Sequence, residues 1–169
     1  KKVQNYFIDL DLTENVFFEI INFQTNAKKK SNIKVEYTVE NKKSIFKTME
    51  FREGKNTISI KGLVLNNKNE IEKLSSIKIL KFKKNEENNN FIINFRKKIS
   101  INGKKYDSSN LLKLLSETSG LNPFKRFSKE IEVQIKNLIT KSKIPLNNFN
   151  LIGFVEKGKF NKISAKSEF

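Results

Sequence analysis

Ile33, Val35, Tyr37 and Val39 alternate with Lys34, Glu36 and Thr38. A period of two is what a β-strand with one buried face requires, and a helix cannot satisfy it. The pattern recurs along the first part of the chain. Ile58, Ile60, Gly62 and Val64 share one face of residues 57–65, while Phe91, Ile93, Phe95, Ile99 and Ile101 share one face of residues 91–101, with Lys97 the exception. Residues 16–23, 44–51 and 76–83 are dense in β-forming side chains. Between these runs lie turn signals: the polar loop 25–31, Asn41-Lys42-Lys43, Glu53-Gly54-Lys55-Asn56, Asn66-Asn67-Lys68-Asn69 and the tract 85–90. Short alternating strands at this spacing predict a sandwich or meander. Residues 69–75 admit two readings, a loop entering the next strand or a two-turn helix packed by Ile71 and Leu74. The expected core includes Ile58, Ile60, Phe91, Ile93 and Phe95.

The pattern changes after Asn102-Gly103-Lys104-Lys105, which reads as a turn. Asp107, Ser108 and Ser109 offer helix caps before Leu111, Leu112, Leu114 and Leu115, and Gly120 and Pro123 would stop that helix. A second helix is predicted from Ser128, with Ile131, Ile135, Leu138 and Ile139 as its apolar stripe and Pro145 at its end. Glu130 and Glu132 near its start and Lys141 and Lys143 beyond its end suit the helix dipole. Residues 151–155 and 159–165 read as a hairpin across Glu156-Lys157-Gly158-Lys159. The expected class is therefore α+β. A β-rich domain would occupy residues 1–100, and a region of two helices and a hairpin residues 101–169.

Composition narrows the chemistry. The chain has no Cys and no His. That removes disulfides, thiolate metal sites, cysteine nucleophiles and the commonest general base near neutral pH. The six Gly are scattered singly, so no phosphate-cradling loop is present. Asp9 and Asp11 are two apart and would share one strand face, a pairing able to bind a cation or move a proton, and equally the solvated side of a strand whose Ile8 and Leu10 turn inward. Glu70 with Glu72 and Glu130 with Glu132 read as surface acids. The expectation is a protein that is not an enzyme, with no cofactor and no metal site. No run approaches the roughly 20 apolar residues that span a bilayer as a helix.

The net charge of +16, from 34 basic and 18 acidic side chains, raises the question of a polyanion partner. The charge is spread evenly over both halves, and the excess of Lys, Asn, Ile and Phe is the signature of A/T-rich codons, so part of it belongs to an ordinary solvated surface. The candidate polyanion contacts are Lys28, Lys29 and Lys30, then Arg96, Lys97 and Lys98, then Lys104 and Lys105, and finally Lys125 and Arg126. Phe91, Phe95, Phe124 and Phe127 lie near some of them, and bases can stack on such rings. With three Arg in the chain, bidentate reading of bases or phosphates is poorly supplied.

Two families share local pattern with this chain. Gly54, Asn56, Ile58 and Ile60 form a Gly-x-Asn-x-Ile-x-Ile run followed by a turn and a strand. Residues 14–84 thereby resemble bacterial immunoglobulin-like modules, without the disulfide and core Trp of antibody-type domains. Residues 57–98, read as β-α-β-β with a helix at 69–75, look instead like the ferredoxin-like periplasmic domains of type IV pilus and type II secretion inner-membrane assembly proteins. Asn122-Pro123-Phe124 and residues 145–153 are also similar to segments of the pilus lipoprotein partner. Both resemblances imply a non-enzymatic structural or interaction component of envelope machinery, periplasmic or at the cell surface. Its partners would be other assembly proteins, with the membrane reached through a segment ahead of Lys1. The alternative is a Lys-rich, cytoplasmic nucleic-acid-binding protein.

Overall fold

A computed structural model describes residues 3–18, 23–26, 29–109, 128–142, 144–156 and 159–168. Every regular element among them is a strand, thirteen in all. In chain order they are β1 (Gln4–Leu12), β2 (Phe17–Phe18), β3 (Phe23–Gln24), β4 (Ser31–Glu40), β5 (Lys43–Glu53), β6 (Asn56–Leu65), β7 (Ile71–Lys73) and β8 (Ser76–Lys83). They continue as β9 (Glu86–Phe95), β10 (Ile99–Asp107), β11 (Lys129–Ile139), β12 (Pro145–Glu156) and β13 (Lys159–Glu168). Eleven strands form one sheet in the order β1-β4-β5-β6-β8-β9-β10-β11-β12-β13, with β7 paired to β6, while β2 and β3 make a separate ribbon. All pairings are antiparallel except β10 with β11. That pair needs a long crossover, and residues 108–128 supply it. The sheet runs unbroken through residue 100, so described strands from both expected segments, 1–100 and 101–169, belong to one hydrogen-bonded sheet.

The α+β expectation is corrected: the described residues are all-β. Residues 128–139 are strand β11, not a helix. Ile131, Val133 and Ile135 are buried while Glu132 is intermediate and Gln134 exposed, a period of two in which Val133 takes part. The helical stripe left Val133 out, and pairing on both flanks by β10 and β12 decides the matter against the weak helical periodicity. Pro145 begins β12 instead of ending a helix. Residues 69–75 form a turn and the short strand β7, so the helix of the ferredoxin-like alternative is absent there. Asn66 makes that turn, its Oδ1 accepting from the amides of Lys68 and Glu70 at 2.9 and 3.0 Å. The helix expected around Leu111–Leu115 lies outside the described residues.

Other boundaries also move. The run 91–101 is two strands, with Arg96, Lys97 and Lys98 as the hairpin turn between them, which is why Lys97 broke the pattern. The tract 85–90 is mostly β9. Its turn is Lys84-Asn85 alone, at φ values of 51° and 67°, like Asn41-Lys42 at 51° and 61°. Positive φ at both central residues is the type I′ geometry that matches strand twist. Gly103 lies within β10, at a register shift against β9. A Cβ there would stand 2.4 Å from the Phe91 Cβ, so only glycine lets the two strands close up. The C-terminal hairpin is present as β12 and β13.

Register places apolar side chains on one side of the whole sheet. Ile8, Val35, Met49, Ile60, Ile77, Ile93, Ile101, Val133, Leu151 and Ala165 are successive partners across all ten strands of the main path. One residue along each strand, the other side reads Asp9, Lys34, Glu50, Ser59, Lys78, Ile92, Asn102, Gln134, Asn150 and Lys166. Burial is deepest in the middle, with Phe91 at 3%, Ile99 at 2% and Ile135 at 1% exposure. Of the expected core, Phe91 and Ile93 are buried, whereas Ile58, Ile60 and Phe95 are half-buried. Replacing Ile135 by Ala should therefore cost about 2–5 kcal/mol. Ile163→Ala, on the same side of the outermost strand, should cost less than about 0.5 kcal/mol in the same denaturant unfolding experiment.

Candidate interaction surface

The apolar side is closed at one end by buried polar groups. Ser31, Glu53 and Asn56 are register partners there, and Lys81 pairs with Asn89. Each sits in phase with apolar residues of its strand, as Lys81 does with Ile77 and Ile79. Burial of such groups is tolerated only when they are satisfied. Glu53 accepts from the Asn26 amide at 2.6 Å and from Asn56 Nδ2 at 3.0 Å. Asn56 Oδ1 in turn accepts from the Phe82 amide at 2.8 Å. Asn89, fully buried, accepts from the Asp107 amide at 2.8 Å.

Asp107 is the hub. Its carboxylate accepts from Asn88 Nδ2 at 3.1 Å and from the hydroxyl and amide of Ser109 at 2.6 and 3.2 Å. Burial alone would raise its pKa, but the Ser109 and Asn88 hydrogen bonds and the nearby Lys81 charge hold it below the ordinary value. Burial lowers the Lys81 ammonium, with Asp107 pulling the other way, and its Nζ stands 5.6 Å from the Phe23 ring centre. Burial also raises the neighbouring Tyr106 phenol, whose ring packs on Phe91 at 4.6 Å. Asp107 and Ser109 thus close a local turn at the end of β10, and Ser108 Oγ donates to the Ile139 carbonyl at 2.9 Å. This network is fully hydrogen-bonded, and what it does chemically is hold strand ends together.

The expected polyanion contacts that lie among the described residues are not gathered in one place. Lys29 and Lys30 precede β4 at that same end of the sheet, while Arg96, Lys97 and Lys98 occupy the β9–β10 turn at the opposite end. Lys98 is ion-paired with Glu132, and Lys129 Nζ donates to the Arg96 carbonyl at 2.8 Å. Lys104 is exposed and Lys105 half-buried within β10. Lys28, Lys125 and Arg126 lie outside the described residues. Asp9 and Asp11 do share the outer side of β1, where Asn32 Nδ2 donates to both at 2.6 and 3.2 Å. Hydrogen bonds from Asn32 and from Lys34, the latter at 3.0 Å, keep Asp9 below the usual carboxylate range. Among the described residues no group of three or more acidic side chains is placed to hold a metal ion, and no helix is long and apolar enough to cross a membrane.

Sequence reasoning missed Glu53, Asn56, Lys81, Asn89 and Asp107. The signal was available, because Glu53, Lys81 and Asn89 are polar residues standing in apolar phase. It also missed the exposed apolar groups of the outermost strands, Tyr6, Phe7 and Leu10 on β1 and Ile163 on β13. No family model, curated protein or solved structure matches this chain.

Asp107→Ala should destabilise the protein at pH 7 by roughly 1–3 kcal/mol, the cost of orphaning buried donors. The native carboxyl has the lower pKa, so its contribution is complete above the unfolded value near ~3.9 and fades as pH falls through the native one. Denaturant unfolding of both proteins should show the gap at pH 7 and a narrower gap near pH 3.

Proposed function

We propose that this chain is a non-enzymatic structural and protein-interaction component of bacterial envelope machinery, of the pilus, secretion or surface-assembly kind. The observation that carries the reading is where apolar surface is left uncovered. The centre of the sheet is buried, yet Phe7 and Leu10 on β1 are 69% and 54% exposed, and Ile152 on β12 and Ile163 on β13 are 58% and 55% exposed. A terminal strand presents unpaired backbone groups along one edge, and natural sheets usually blunt such edges with charge or irregularity. Apolar side chains beside an open edge instead suit strand addition, in which main-chain hydrogen bonds give affinity and side chains give specificity. The resemblance of residues 14–84 to bacterial immunoglobulin-like modules supports placing this work in the periplasm or at the cell surface.

The scattered Lys and Arg clusters favour this reading over a nucleic-acid site. Diffuse charge makes few phosphate contacts, and affinity then falls steeply with salt. Binding of single-stranded and duplex oligonucleotides should be micromolar or weaker, and should vanish between about 50 and 200 mM salt. Tight binding that survives the upper concentration, or native protein fractionating with nucleic acid in the cytosol, would overturn the proposal.

A further inference from the structure

The two edges of the main sheet are complementary to each other, and we propose that copies of this chain assemble head to tail, β13 of one copy pairing with β1 of the next. Both strands present apolar residues on the same side of the sheet, Ile8 and Leu10 on β1 and Ile163 and Ala165 on β13. On the outer side, β1 carries Asp9 and Asp11, and β13 carries Lys166. Asp9 is already ion-paired with Lys34. Asp11, bonded to the Asn32 amide, and Lys166 have no ion-pair partner among the described residues.

Counting the alternating strand directions across the sheet, β1 and β13 run the same way, because β10 and β11 are the one parallel pair. A second copy that keeps its apolar side in common therefore pairs its edge in parallel. Of the registers that keep apolar side chains together, one puts Lys166 beside Asp9 but Glu168 beside Asp11. A shift of two residues puts Ile163 beside Ile8, Ala165 beside Leu10 and Lys166 beside Asp11, with Glu168 beyond the end of β1. Charge selects the second, since like charges directly opposite oppose pairing. A symmetric β1–β1 pair offers Asp9 and Asp11 no cation, because β1 carries no Lys or Arg. An antiparallel β13–β13 pair can set Lys166 against Glu168, but such a pair stops at a dimer. A head-to-tail contact repeats until rotation closes it, so the product is a ring or an open fibre.

This inference rests on the interaction-component reading and adds the partner's identity. The test is sedimentation velocity of the whole chain over a concentration series, with far-UV circular dichroism confirming that each variant keeps its strands. The wild type should grow beyond dimers as concentration rises. Asp11→Lys and Lys166→Asp should each weaken assembly roughly tenfold. The double variant should recover it, and so should an equimolar mixture of the single variants, because each variant's β13 then meets an oppositely charged β1 on the other. A wild type that stays monomeric or stops at a dimer, or assembly indifferent to both substitutions, would overturn the inference. Neither of those results touches the interaction-component reading, which the salt series tests separately.

Discussion

The row that runs from Ile8 on β1 through Val35, Met49, Ile60, Ile77, Ile93, Ile101, Val133 and Leu151 to Ala165 on β13 holds this structure in register. Each member meets its neighbours across a strand pairing. A slip of one residue anywhere would turn that strand's apolar set to solvent and bring Lys34, Glu50 or Gln134 to the other side. The penalty of such a slip is several side chains' worth of hydrophobic burial, at about 1.5–3 kcal/mol for each large apolar group fully transferred. Irregularities are confined to places that absorb them, as at Gly103, where the absent side chain admits Phe91. Aromatic stacking extends the apolar side at one end, with Tyr6 on Tyr37 at 4.8 Å and Tyr37 on Phe46 at 5.1 Å.

A sheet built in this way has two kinds of boundary. Along the strand direction, one end is sealed by hydrogen-bonded polar groups gathered around Glu53, Asn89 and Asp107. Across the strands, the sheet stops among the described residues at β1 and β13, with apolar side chains still exposed. The sealed end is finished in itself and explains stability. The open edges are where further backbone pairing has most to gain, and the functional reading rests there.

How much of this was legible in the sequence depends on how local each determinant is. Strands β4, β5, β6 and β8 could be read as strands, because apolar alternation recurs through them and their turns carry Asn and Gly where positive φ is needed. Their irregularities could not: the pairing skips Lys47 and Gly62, so Leu63, the partner of Phe46, continues the face of Ile60 where Val64 was expected. β11 could not. Ile131, Ile135, Leu138 and Ile139 satisfy a helical stripe as well as a strand, and the deciding partners, β10 and β12, are brought to it by the fold. Gly103 read as a turn because a glycine at a turn and a glycine under a close strand crossing look alike in one dimension. The polar seal was visible only as faults in alternation, at Glu53, Lys81 and Asn89. The basic clusters were found as sequence, but their dispersal to opposite ends of the sheet is a property of topology alone.

The account stands on residues 128–139 being a strand that lies parallel to β10, since that pairing joins the two halves into one sheet. Interstrand proton contacts measured by NMR test it directly. The account predicts Hα-to-amide contacts of a parallel ladder linking the neighbourhoods of Ile101 and Val133, and of Ile99 and Ile131. An unbroken series of sequential amide-to-amide contacts through residues 128–139, with none reaching β10, would contradict it.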